Sequence, residues 1–181
     1  MDRILAAQHM TADDLLPVIR HRGDGVADTE SSSVPIVSHA GALFDPYIRP
    51  SAVQSLLQLP SVILQSFQPR ASNPRRAWQR FVAVRVPSAE SLPMDPLLMS
   101  DSIVLIDRHY ISLQPNRSNR PNVYAVRHGA HLTFRYIDQQ LNRLVLRPHN
   151  LAFPIELIAI APGESLGDLL VGRVALILNE L

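Results

Sequence analysis

Short apolar runs separated by turn residues make up the second half of the chain. The clearest run, residues 103–107, follows a proline-containing loop that starts at Met94 and is rich in β-branched residues, so it predicts a loop leading into a buried strand. Similar runs predict six further strands, at residues 81–86, 123–126, 132–137, 144–146, 155–160 and 169–178. Because turns rather than long helices separate these strands, the pattern predicts a mainly β, coiled antiparallel domain and not a parallel Rossmann-type sheet.

A helical segment and a linker are predicted before this β region. Residues 2–7 have the pattern of the last turn of a helix, and Thr11 provides an N-cap for a second helix that Pro17 keeps short. Over residues 22–33, Gly, Asp, Glu and a Ser triplet replace apolar residues, which predicts a flexible linker. The expected organisation is a helical N-terminal segment (1–21), a linker (22–33) and a β-domain (34–181).

The start of the β-domain is predicted to contain one strand and a small helical insertion. Residues 34–41 predict a strand that ends in a turn at Ala40 and Gly41. Pro50 opens a helical pattern that continues to Leu57 and stops at Pro60. Ser61 is then placed to cap one more turn, which ends before Pro69.

Composition excludes several functional classes. The chain has no Cys and no Lys, so all 17 basic residues are Arg; disulfides, thiolate nucleophiles and a lysine base are excluded. The formal net charge of +1 gives no overall attraction to nucleic acid or a membrane. The N-terminus lacks the apolar core of a signal peptide and no run is long enough to span a membrane, so we expect a cytoplasmic protein with no membrane partner.

The stretch from Met94 to Asp107 resembles a known family. Its order Met-x-Pro-x-Leu-x-x-x-x-Ile-Val-Leu-Ile-Asp is similar to the start of the catalytic core in LexA/UmuD-type serine peptidase domains, relatives of bacterial signal peptidases. The usual form there is Ser-Met-x-Pro-x-Leu-x-x-Gly-Asp-x-Val-Leu-Val-Asp. Residues 123–126, 132–137, 144–150 and 171–174 resemble the later segments of that family in the same order. The resemblance covers roughly Val34 to the C-terminus and implies a LexA/signal-peptidase-like β-domain.

The same resemblance implies that the catalytic dyad is lost. In this family a Ser hydroxyl attacks the peptide bond after a buried, neutral Lys takes its proton. Pro93 stands at the position of the Ser, and Arg135 stands at the position of the Lys. An Arg guanidinium is not deprotonated in a protein, so it cannot act as the base. We expect Arg135 either to pair with a carboxylate such as Asp101 or to bind an anionic ligand, with pairing favoured. We therefore expect no catalytic site.

An alternative is a self-cleaving peptidase with a relocated nucleophile. The loop before Met94 is about three residues longer than the family pattern, so alignment on the preceding strand brings Ser91 near the nucleophile position. The base would then be His131 or His109. In the family, an Ala-Gly bond in a segment like 34–41 is the bond that is cut, and Ala40-Gly41 matches that place.

Other groups of polar residues predict no cofactor or metal site. His128 and His131 lie three residues apart but no third ligand is placed by spacing. Asp101 and Asp107 are expected to cap the ends of their strand. Residues 70–80 place four Arg around Trp78, a cluster that can bind nucleic acid but more often covers a solvated surface.

These observations lead to one expected function. The chain is expected to be a non-catalytic LexA-like domain of a transcriptional regulator, of the kind found at the C-terminus of phage-type repressors, which acts by forming a homodimer. DNA binding would come only from a helix-turn-helix absent from this chain. Residues 1–5, Met-Asp-Arg-Ile-Leu, resemble the end of such a domain. The alternative left open is therefore that the natural protein begins upstream of Met1.

Overall fold

Nine strands and four short helices make up the computed structural model, which describes residues 30–67, 75–113 and 121–179. The strands are β1 (Ser31–Val37), β2 (Val53–Pro60), β3 (Phe81–Arg85), β4 (Ile103–Asp107), β5 (Val123–His128), β6 (His131–Gln140), β7 (Arg143–Arg147), β8 (Glu156–Ala159) and β9 (Leu170–Leu178). The helices are α1 (His39–Phe44), α2 (Ser61–Ser66), α3 (Ser88–Ser91) and α4 (Leu166–Leu169), with 3-10 turns at Pro50–Ala52 and Leu92–Met94.

All nine strands belong to one mixed sheet in the order β2-β1-β3-β4-β9-β5-β6-β7-β8. Only the β1–β3 pair is parallel among the described strands, and it is joined at Ile36 and Ala83. The last four strands before α4 form consecutive antiparallel hairpins, as the turn spacing predicts. Gly129 and Leu141 adopt φ angles of 62° and 52° in two of these turns. The prediction of a mainly β fold is therefore confirmed.

The core lies on both faces of the central strands. In β4, Val104 and Ile106 pack into one cluster with α1 and β6, whereas Ile103 and Leu105 pack into another with β1 and β2. All five residues of β4 are buried, which explains the uninterrupted apolar run of this strand. A third cluster, around Tyr124 and Leu144, packs α4 against β5 to β7. No helix of the described residues is long and apolar enough to cross a membrane.

Three predicted elements near the start of the domain are corrected by the structure. The strand predicted over 34–41 ends at Val37, and Ser38 then caps α1, so Ala40 and Gly41 are helical. The helix predicted after Pro50 is the strand β2. β1 also begins inside the predicted linker, at Ser31. The predicted turn after Pro60 is confirmed as α2, although Ser61 is its first residue and not its cap. The predicted helices over residues 1–21 lie outside the described residues.

Candidate functional site

Pro93 occupies a buried turn between α3 and β4. Its carbonyl oxygen accepts hydrogen bonds from the backbone N–H groups of His149 and Asn150, both at 2.9 Å. The Asn150 side chain also donates to Leu92 O at 3.4 Å. The loop after β7 is therefore fastened to the turn at the position that matches the family's nucleophile. That position carries no hydroxyl group, because it is a proline.

Arg135 lies on β6 and is 5% exposed. Its Nη2 donates to Glu156 Oε1 at 3.1 Å, and its Nη1 lies 3.8 Å from Glu90 Oε2. Thr133 Oγ1 donates to the same Glu90 oxygen at 2.7 Å, and His128 Nδ1 lies 3.4 Å from Glu156 Oε2. We call Glu90, His128, Thr133, Arg135 and Glu156 the Arg135 cluster.

The Arg135 cluster is an ion-pair site and not an acid–base dyad. An arginine guanidinium does not act as a base in proteins, and Nη1 of Arg135 also donates to Phe134 O at 2.8 Å, so the group is fixed in place. Only its Nε has no partner among the described residues. Structural pairing, the favoured expectation for Arg135, is confirmed. The predicted partner Asp101 is wrong, because Glu156 and Glu90 take that role.

Ser91 is buried at the end of α3, and its hydroxyl donates to Ser88 O at 3.0 Å. Neither candidate base approaches this hydroxyl within hydrogen-bonding distance in the described part of the chain. His131 is exposed at the start of β6, opposite His128. His109 Nε2 instead lies 2.8 Å from Trp78 O. The structure therefore does not assemble a Ser–His pair around Ser91.

The Ala40-Gly41 bond lies inside α1. Gly41 is buried, and its backbone N–H donates to Ser38 Oγ at 3.1 Å, which caps the helix. A bond held in a capped helix is not presented as the extended strand end that the sequence predicts. This segment would have to unwind before a peptidase could bind it.

Trp78 lies among arginines, as the sequence indicates, and the side chains of Arg75 and Arg80 are used within the fold. Arg70 and residues 71–74 lie outside the described residues. The guanidinium carbons of Arg75 and Arg108 lie 4.5 and 4.3 Å from the Trp78 ring centroid. Arg75 also donates to Gly167 O at 2.6 Å and Val171 O at 2.9 Å. Arg80 forms an ion pair with Asp107 at 2.9 Å. Through these contacts Arg75 and Arg80 anchor β9 and β4. This is a structural role for the two side chains, in contrast to nucleic-acid binding.

A cleft of about 350 Å³ opens beside Arg75 and Trp78. Its charges are largely paired, because Arg127 donates to Glu164 at 2.8 Å. Burial, and to a smaller extent Arg75, lowers the pKa of Arg108 beneath it to about 10, while Asp45 opposes the shift. Arg108 is fully buried, and two of its nitrogens, Nε and Nη1, have no partner among the described residues.

Asp107 caps the end of β4 as the sequence predicts, whereas the contact shown for Asp101 is made by its backbone. Asp107 Oδ1 accepts the His109 N–H at 3.2 Å just after the strand. Asp101 adopts a φ of 64° in the turn before it, and its N–H donates to Val86 O at 2.8 Å. The described residues contain no group of three His, Asp or Glu side chains that could hold a metal ion.

Sequence reasoning missed three residues of these sites. Glu90 lies in the four-residue helix α3, directly before Ser91, and an acidic residue beside that alternative nucleophile was a usable signal. Glu156 alternates with apolar residues on β8, which places it on the inner face. Arg108 follows a buried strand directly and gave no signal of its own. No family model and no curated protein matches the chain.

Proposed function

We propose that this chain is a non-catalytic, LexA-like regulatory and dimerisation domain of a transcriptional regulator. The observation that carries the proposal is the Arg135 cluster. Where the resembling peptidases have a neutral Lys, this chain has a permanently charged Arg held by Glu156 and Glu90. Pro93 replaces the nucleophile. A chain that keeps the order of the strand segments but fills the dyad with an ion pair retains a scaffold without its reaction.

Self-association is the function that such a scaffold retains. A repressor dimer places two DNA-binding domains on two half-sites, so a dimerisation domain raises the affinity for DNA without touching it. The DNA-binding domain would be a helix-turn-helix outside this chain. We do not assign DNA binding to Arg75 or Arg80, because Arg75 is bound to backbone carbonyls and Arg80 to Asp107.

The dimerisation role can be tested with a fusion. The full chain is joined to a monomeric DNA-binding domain that represses a reporter only when it is dimerised. We expect repression by the fusion and none by the DNA-binding domain alone. Light scattering of the unfused chain at micromolar concentrations should give twice the chain mass of 20.1 kDa. A monomer that fails to support repression would overturn the proposal.

The loss of catalysis has its own test. The chain is incubated at alkaline pH, which activates the resembling peptidases by deprotonating their base, and its intact mass is measured. We expect one species at 20.1 kDa. A fragment ending at Ala40, present in the native chain and absent from a Ser91→Ala variant, would instead establish the relocated peptidase.

A further inference from the structure

The strand β2 forms one edge of the sheet and carries no charged side chain. The uncharged stretch is longer than the strand: residues 50–69 contain no Asp, Glu, Arg or His in a chain that is 18% charged. Natural edge strands are usually protected from a second strand by charges, prolines or bulges. Here a bulge near Gln54 and Pro60 limit the two ends of β2, while within the described residues the segment between them has no such protection.

The backbone of β2 has hydrogen-bonding groups that point away from the sheet. Ser61 N donates to Glu30 O at 2.8 Å. This bond shows which residues of β2 direct their backbone N–H and C=O groups toward β1. Because alternate residues of an antiparallel strand face the same neighbour, Leu59, Leu57 and Ser55 also face β1. Gln58 and Leu56 therefore direct their N–H and C=O groups outward. Pro35 lies opposite Leu56 and has no N–H to donate to β2, which agrees with this assignment.

Two glutamines, Gln54 at the bulge and Gln58, lie two residues to either side of Leu56 on β2. In an antiparallel pair of two β2 strands centred on this residue, Leu56 faces Leu56 of the second copy, and Gln54 faces Gln58. Leu56 is 56% exposed and both Gln side chains are exposed. Gln58 Oε1 accepts a hydrogen bond from Ser33 Oγ at 3.0 Å, so the amide NH2 of Gln58 is the group directed to the second copy. A two-fold interface requires this kind of self-complementary surface. Contacts between leucines and hydrogen bonds between side-chain amides both favour the pairing of two strands.

We propose that two copies of the chain associate through antiparallel pairing of their β2 edges, on a two-fold axis at Leu56. The inference rests on the proposed dimerisation function and names its surface. The sheet would continue from one copy into the other. The exposed Val62 at the start of α2 widens the contact.

The opposite edge of the sheet, β8, is a poorer surface for a second copy. It has four residues, and Pro154 stands just before it. β8 itself carries the charged Glu156, so a pair of β8 edges would place a carboxylate from each copy at the interface. β8 nevertheless exposes Leu157 by 56%, the same fraction as Leu56 on β2. The two leucines provide a matched pair for substitution.

The test compares Leu56→Lys with Leu157→Lys in the full chain by light scattering and sedimentation equilibrium. We expect a wild-type dimer, and in Leu56→Lys a dissociation constant raised by more than about tenfold, because two like charges then meet at the axis. Leu157→Lys should change it by less than about twofold. Circular dichroism would verify that both variants are folded.

Leu56→Pro separates the backbone contact from the side-chain contact. Proline removes only the outward N–H of residue 56, which an isolated chain leaves to solvent, so folding should be retained and dimerisation lost. A wild-type dimer that survives both changes at Leu56, or that is lost with Leu157→Lys, would overturn this interface and leave the dimerisation function standing. A monomeric wild-type chain would overturn both.

Discussion

Arg135 illustrates how single residues of the site are tied to stability. Its guanidinium is almost completely buried, and Glu156 supplies its shorter ion pair at 3.1 Å. In Glu156→Gln the shape is kept but the charge is lost, so a buried cation keeps only the more distant Glu90 at 3.8 Å. We expect the free energy of unfolding, measured with urea, to fall by about 1–3 kcal/mol.

A neighbouring surface pair provides the control for this change. Arg147 and Asp138 are 2.7 Å apart, but their side chains are 48% and 49% exposed. Asp138→Asn should therefore change the free energy of unfolding by less than about 1 kcal/mol. Equal losses in the two variants would show that burial does not strengthen the Arg135 pair, and the structural role given to Glu156 would be wrong.

Gly172 is required by the close approach of β9 to the end of β4. A Cβ atom there would lie 2.5 Å from Asp107 O and 2.9 Å from Arg108 Cα, and neither backbone atom can rotate away. We expect Gly172→Ala to lower the free energy of unfolding by about 3 kcal/mol or more. Gly129→Ala is the comparison. It meets no atom within 4 Å but must adopt a φ of 62°, which costs about 1 kcal/mol. A Gly172→Ala variant that is the more stable of the two would contradict the packing.

At the scale of an element, the N-terminal cap of α4 makes the stability of the protein depend on pH. The Ser165 hydroxyl and N–H both donate to Asp168 Oδ2, at 2.7 and 2.8 Å, and these bonds lower the pKa of Asp168 below 3.8. The carboxylate form is therefore favoured in the folded chain. Its contribution to stability is complete above pH 3.8 and is lost as the pH falls through the lower folded pKa.

Acid unfolding of Asp168→Asn tests this contribution. The variant should lose less stability than the wild type between neutral pH and pH ~3, because the group that takes up the proton is gone. Ser165→Ala should weaken the same dependence, since it removes the first of the two hydrogen bonds. Identical acid profiles for all three proteins would show that this cap does not titrate with folding.

Strands that are joined by tight turns were predictable from the sequence. β5 to β8 follow one another as hairpins, so local alternation and turn residues were sufficient. β2 was not predictable in this way. Leu56 and Leu57 are adjacent, a pattern that suits a helix as well as a strand, and β2 is held by β1 some 20 residues earlier, through pairs such as Pro35 with Leu56.

Arg135 was predictable as a residue of the site, but its partners were not. The absence of Lys and the place of Arg135 on a buried strand could be read from the order of residues. Its partners could not, because Glu90 and Glu156 reach it from α3 and β8, and their approach depends on how the sheet is assembled. The same holds for Arg75, whose carbonyl partners lie more than 90 residues away.

At the scale of the whole molecule, the open sheet makes the two edges its main places for self-association. The edge at β2 is uncharged, whereas the edge at β8 lies next to Arg143 and Arg147. If β2 is the interface, the dimer is held by backbone hydrogen bonds and apolar contacts. Its dissociation constant should then change by less than about threefold when NaCl is raised from roughly 0.1 to 1 M, a range over which the Debye length falls from about 10 to about 3 Å.

Dimer formation should also appear in the thermal stability of the chain. Since only the folded chain pairs, the unfolding midpoint of the wild type should rise with protein concentration, as mass action requires. The midpoint of Leu56→Lys should not depend on concentration, because the added charge prevents pairing without disturbing the core, while Leu157→Lys should behave as the wild type does. Calorimetry over a hundredfold range of concentration, about 2 to 200 μM, covers dissociation constants in the micromolar range. If the midpoint of Leu56→Lys rose as steeply as that of the wild type, pairing through β2 would be ruled out.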